Sequence, residues 1–210
     1  MSEHESNWRY ATEQVAEPDA IARARAHSLE LGVTPVSPAV GAQSAVLAAA
    51  SGALNLVEIG TGAGVSGLWL LHGAPRGVLT TIDAEPEHLA AARRVFADAK
   101  IPPARARLIT GRAADVLPRM NESAYDIVLV DADADHVLDY VEHALRLVRV
   151  GGTVLVPRVL HHGRVADPAQ RDAVTAAYRT LIAETRESDA VLSSLSIVGE
   201  GLLQITKITE

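Results

Sequence analysis

From Leu54 onward, short runs of branched apolar residues alternate with amphipathic stretches, the pattern of parallel strands joined by crossover helices. Asn55 to Ile59, Val78 to Ile82, Arg105 to Ile109, Asp126 to Val130 and Thr153 to Val156 read as strands. Leu89, Ala92, Val95, Phe96 and Ala99 share one helical face behind Pro86, a residue favoured in a first turn. Val137, Tyr140, Val141, Ala144, Leu145 and Val148 share another, which Gly151-Gly152 is expected to close. Farther on, Asp167-Pro168 should open a helix with Val174, Ala177, Tyr178, Leu181 and Ile182 inward. The runs Val191 to Val198 and Leu202 to Ile208 flank Gly199-Glu200-Gly201 and predict an antiparallel hairpin. Upstream, Asp19 to Leu31 and Pro38 to Ser51 read as helices, so residues 1–53 form a helical segment packed on the same domain. The expected fold is α/β: a Rossmann-like, mostly parallel sheet ending in an antiparallel hairpin strand, helices on both faces, one domain over 1–210.

Composition narrows the chemistry. At 210 residues and 48% hydrophobic, the chain can bury one substantial core. A net charge of −7 offers no basic stripe for a phosphate backbone, so nucleic acid is not an expected partner. There is no cysteine, which removes disulfides, thiolate metal sites and thiol nucleophiles and suits the cytoplasm. The start lacks the order of a signal peptide, and the apolar stretch Pro38 to Ile59 is broken by Gln43, Ser44, Ser51, Gly52 and Asn55, so no membrane segment is expected. With 3% aromatic residues, stacking platforms are few; Trp8, Tyr10, Trp69, Tyr140 and Tyr178 are the candidates.

The chemistry concentrates where the first strand ends, in Val57-Glu-Ile-Gly60-Thr-Gly62-Ala-Gly64-Val-Ser-Gly67. Glycines at a strand-to-helix turn let backbone approach a ligand with no Cβ in the way. Gly62 to Gly67 also satisfies the dinucleotide fingerprint, with Asp83 placed as its ribose carboxylate, so the loop alone leaves NAD and S-adenosylmethionine both open. Glu58 ahead of Gly60, Asp131 at the fourth strand's end and the closing hairpin favour S-adenosylmethionine, because a sulfonium and an ammonium attract carboxylates while a pyrophosphate does not.

Glu58-Ile-Gly-Thr-Gly-Ala-Gly-Val-Ser66, Thr81-Ile-Asp83, Val130-Asp-Ala-Asp133, Asp139-Tyr140, Gly151-Gly-Thr-Val-Leu-Val and Gly199-Glu-Gly-Leu-Leu resemble the caffeoyl-CoA and catechol O-methyltransferase family, nearest to its actinobacterial members. The resemblance runs from about Val33 to the end. It implies a class I methyltransferase sheet, S-adenosylmethionine as co-substrate, a small hydroxylated methyl acceptor and a homodimer, with the helix Ala39 to Ala50 as a candidate contact. It further implies that Gly60, Thr61, Gly62 and Ser66 hold the methionyl end with Val36 backbone and Glu58, that Asp83 takes both ribose hydroxyls, and that Ala113 backbone, Asp131 and Tyr140 complete the cofactor site.

One part of the family pattern is missing. Metal-dependent members bind a divalent cation with the first Asp of the acidic motif and an Asp-Asn pair after the fifth strand; here Asp131 remains but Pro157-Arg158 replaces the pair. Proline supplies no ligand and arginine repels Mg²⁺, so no metal is expected. Asp131, Asp133, Asp135, Asp139 and Glu142 do fall at EF-hand spacing, but His136 stands at the required glycine, and Asp133 or Asp135 reads better as a helix cap. Arg158 could place a fixed positive charge where the cation would sit, and His161 or His162 could serve as general base. Three functions remain: a metal-independent O-methyltransferase using Asp131, Arg158 and His161; a cofactor-binding protein without catalysis; and an NAD-dependent oxidoreductase.

Overall fold

In the computed structural model, which describes residues 2–209, the strands are β1 (Asn55–Ile59), β2 (Val78–Asp83), β3 (Ala106–Thr110), β4 (Tyr125–Val130), β5 (Val148–Pro157), β6 (Val191–Ser196) and β7 (Leu202–Lys207). They form one sheet in the order β3-β2-β1-β4-β5-β7-β6. The pairs among β1 to β5 are parallel, and β7 runs antiparallel to both β5 and β6. The chain reverses its winding between β1 and β4, and at such a point the strand ends leave a crevice for ligand.

The helices are α1 (Glu3–Glu13), α2 (Asp19–Glu30), α3 (Pro38–Ala50), α4 (Val65–Gly73), α5 (Pro86–Asp98), α6 (Ala113–Val116), α7 (Val137–Leu147) and α8 (Ala173–Glu187). Because side chains alternate along a strand, β1 sends Leu56 to one face and Val57 and Ile59 to the other. The Leu56 face packs under α2 to α5 with Leu70, Trp69, Leu79 and Phe96; the Val57 face packs under α6 to α8 with Val141, Leu147 and Leu181. At the foot of the sheet, the Asp126 carboxylate accepts the N–H groups of Leu54 and Asn55 at 2.7 and 2.8 Å and pairs with Arg149.

Three local expectations need correction, and one helix is added. Gly151-Gly152 does not cap α7; both glycines lie inside β5, which starts at Val148 directly after the helix. A bulge between the Tyr125 and Ile127 pairings needs them, since a Cβ on Gly152 would sit 3.0 Å from the Tyr125 carbonyl oxygen. Asp167-Pro168 only precedes the last helix, whose N-cap is Asp172, its carboxylate accepting the Thr175 N–H. Neither Asp133 nor Asp135 caps α7, where His136 is the N-cap and makes no side-chain cap bond. Finally, α1 was not foreseen, although Ser2 and Glu5 form a reciprocal capping box at its start.

α3 lies against α4 so closely that a Cβ on Gly41 would enter the Trp69 ring and one on Gly73 would come within 2.0 Å of the Ala45 carbonyl oxygen. Most of the alanine-rich face is thereby consumed within the chain, leaving Val46, Ala49 and Ala50 exposed. No helix among the described residues is long and apolar enough to cross a membrane.

Candidate active site

The glycine loop turns sharply out of β1. Gly60 has φ +91° and its missing Cβ would lie 2.1 Å from the Asp131 carbonyl oxygen, so only glycine lets the ends of β1 and β4 come together here. Gly64, at φ +87°, then N-caps α4 without a side chain. Asp83, at the end of β2, holds the loop in place: its Oδ2 accepts the backbone N–H groups of Thr61 and Gly62 at 3.0 and 2.9 Å. Its Oδ1 accepts the Glu85 N–H at 2.9 Å, and His88 Nδ1 stands 3.3 Å from both oxygens.

Glu58 is fully buried behind this loop, on the α4 side of β1. Parallel register sets it beside Thr81, whose hydroxyl donates to its Oε2 at 2.6 Å and lies 2.6 Å from the Thr61 hydroxyl. Oε1 has no partner. Burial pushes its pKa up to about 8, against the pull of the Ser66 and Thr81 hydroxyls and with added repulsion from Asp131 and Asp83.

Opposite the loop, Asp131 follows directly on β4 and forms an ion pair with Arg158, which follows directly on β5. Burial raises the Asp131 pKa, and the guanidinium opposes that rise. Arg158 also donates to the Thr34 carbonyl at 3.2 Å, which ties the segment after α2 to the end of β5. To reach both partners it adopts a left-handed backbone, φ +63°, which costs an arginine where asparagine or glycine would be at ease. The guanidinium still has donors to spare and keeps 34% of its side-chain surface exposed.

Loop and ion pair face each other across a cavity of about 780 Å³, the size of a nucleotide-scale site. Gly60, Thr61, Gly62, Ser66, Asp83, Ala113, Asp131, Tyr140 and Arg158, all candidates from the sequence, line it. The Tyr140 hydroxyl donates to Asp133 Oδ2 at 3.1 Å; burial first, then that bond, raises its pKa to about 12. Glu58 is not on the wall and can act only through Thr61, Ser66 and the loop they belong to. Val36 is also off the wall, its carbonyl taken by Arg25 at 2.6 Å, while Val33, Thr34 and Pro35 form the lining there. His161 does not reach the cavity. Left-handed backbone at His161 and His162 turns it onto α8, where Nδ1 meets the Thr175 hydroxyl at 3.1 Å and the ring packs on Tyr178. His162 pairs with Glu200 instead. Trp8 and Tyr10 are exposed on α1, and Trp69 is buried against α3. Thr34 and His88 line the cavity and had not been singled out; Arg112, which the resemblance places where an acidic residue is more usual, lines it too, and Thr81, known from the sequence only as part of a motif, reaches the site through Glu58.

The donor set at Asp131 does not fit a divalent cation. Its carboxylate already faces a guanidinium, Pro157 offers no side-chain oxygen, and among the described residues no three His, Asp or Glu side chains are grouped to hold a metal ion. The EF-hand spacing is likewise not realised as a loop, because a 3-10 turn at Ala134–His136 leads straight into α7.

The sheet order with its antiparallel β7, and a glycine loop facing an acidic strand end, define a class I methyltransferase. The chain belongs to the O-methyltransferase family, whose profile matches residues 15–208. It is similar to a Mycobacterium tuberculosis protein named as an O-methyltransferase, 46% identical over 203 residues, covering 96% of this chain and 91% of that one. Among solved structures, a Corynebacterium glutamicum protein superposes with a TM-score of 0.90 at 29% identity, covering 100% of this chain and 99% of that one. The O-methyltransferase TomG of Streptomyces achromogenes, involved in tomaymycin synthesis and solved with S-adenosylmethionine, superposes at 0.85 with 28% identity, covering 99% and 100%. The dinucleotide reading of Gly62 to Gly67 therefore gives way.

Proposed function

We propose that this chain transfers the methyl group of S-adenosylmethionine to a hydroxyl oxygen of a small molecule without a divalent cation, with Asp131 and Arg158 at the acceptor end. The observation that carries the reading is the Asp131–Arg158 ion pair, which lies where the resemblance implies the ligands of a metal-dependent member. Bound S-adenosylmethionine supplies an electrophilic methyl on a sulfonium. Gly60, Thr61, Gly62 and Ser66, backed by Glu58, would receive the methionyl half, while Asp83 would hold the ribose. Asp131, with its raised pKa, is suited to take the proton of the acceptor hydroxyl as the oxygen attacks. Arg158 directs its remaining N–H donors at the oxygen as negative charge develops there, doing by hydrogen bonding what a cation would do by coordination. Thr34, fixed by the same guanidinium, gives the acceptor a rigid wall to align against.

Replacing Arg158 by Ala tests this. Formation of methylated product, measured with a panel of phenols and catechols, should slow about a hundredfold, while S-adenosylhomocysteine affinity, measured by calorimetry, stays within about threefold. Removing the cation also raises the Asp131 pKa further, so the rising limb of the rate against pH should move to higher pH. Equal losses in turnover and cofactor affinity would assign Arg158 a structural role.

A further inference from the structure

The Asp83 carboxylate already accepts three backbone hydrogen bonds before any ligand arrives. A carboxylate offers about four lone-pair sites. Three are held by the backbone N–H groups of Thr61, Gly62 and Glu85. These donors belong to the glycine loop and to the entry of α5, whose backbone paths are set by the turn at Gly60 and by Pro86 at the helix start, so they cannot swing aside. The one remaining position is covered by His88, which lies in the first turn of α5, lines the cavity and is 32% exposed. Of the four partners, only the imidazole is a side chain free to rotate.

We propose that His88 is a second ribose-binding residue: one ribose hydroxyl replaces its Nδ1 on Asp83, and the displaced imidazole takes the neighbouring hydroxyl. Asp83 alone then receives one hydroxyl, not the two expected from the sequence. An imidazole suits this part because it carries a donor and an acceptor nitrogen in its neutral form and pairs with a hydroxyl in either sense. Arg112 and Glu85 also line this end of the cavity, but neither contacts Asp83 through its side chain.

The proposal rests on S-adenosylmethionine being the co-substrate, and the test separates the two. S-adenosylhomocysteine and its 2′-deoxy and 3′-deoxy analogues are titrated by calorimetry into the natural chain and into His88→Ala and His88→Asn. No binding of S-adenosylhomocysteine to the natural chain would remove the cofactor reading itself. Given that binding, His88→Ala should weaken S-adenosylhomocysteine by about threefold to tenfold, the size of one neutral hydrogen bond. One of the two deoxy penalties seen in the natural chain should vanish in His88→Ala and partly return in His88→Asn, which a merely structural role would not produce. Unchanged or tighter binding of S-adenosylhomocysteine by His88→Ala, or deoxy penalties that persist in it, would overturn the proposal. A thermal melt of each unliganded variant confirms that folding is intact.

Discussion

Glu58 shows most directly how one side chain's surroundings set its chemistry. In the folded chain it stays protonated up to about pH 8, whereas unfolded it ionises near its ordinary value of 4.5. Between those values the unfolded state holds fewer protons, so stability should fall as pH rises from about 4.5 to about 8 and then level off. Glu58→Gln keeps the shape without the titration. Its chemical-denaturation midpoint should match that of the natural chain near pH 4.5, then exceed it progressively toward pH 8 by an amount worth a few kcal/mol, roughly 1.4 per unit of pKa shift. A constant gap across that range would mean that Glu58 is ionised in the fold. At this scale the sequence disclosed the residues carried by local motifs, Gly60, Asp83 and Asp131. It hid the contacts of Thr81 with Glu58 and of His88 with Asp83, because strand register makes the first and helix entry the second. His161 misled for a related reason: its left-handed backbone, invisible in the sequence, aims it at α8.

Among the elements, the α3–α4 contact is the tightest joint near the site, since α4 carries the glycine loop at its start. Gly73→Ala would ordinarily favour a helix by about 1 kcal/mol. Here the added methyl would meet the Ala45 carbonyl oxygen at 2.0 Å, a backbone atom that cannot rotate away. The helices must then separate, and a net destabilisation of about 1–3 kcal/mol is expected in the urea midpoint. A midpoint equal to or above that of the natural chain would show that α3 moves freely on α4. Period and punctuation made most elements legible, β1 to the residue, because burial enforces the alternation of its side chains. Where they failed, a glycine pair served a bulge in place of a helix end, and a capped polar helix, α1, carried no apolar stripe to announce it.

For the molecule as a whole, the sheet order and the family follow from the pattern of the chain, while the chemistry proposed for the acceptor end turns on Pro157, the last residue of β5, and Arg158 directly after it. Pro157 and Arg158 leave Asp131 facing a guanidinium, with no cluster of metal-ligating side chains around it among the described residues. The acceptor's identity is not written in the motifs, because the cavity wall on that side comes from Thr34, Pro35 and Arg158, brought together from distant parts of the chain. The most direct measurement is the initial rate of S-adenosylhomocysteine formation from S-adenosylmethionine and a panel of phenols and catechols, with excess chelator and with added Mg²⁺. A metal-free mechanism predicts the same rate in both for every acceptor that turns over. Activity lost in chelator and restored by Mg²⁺ would contradict it.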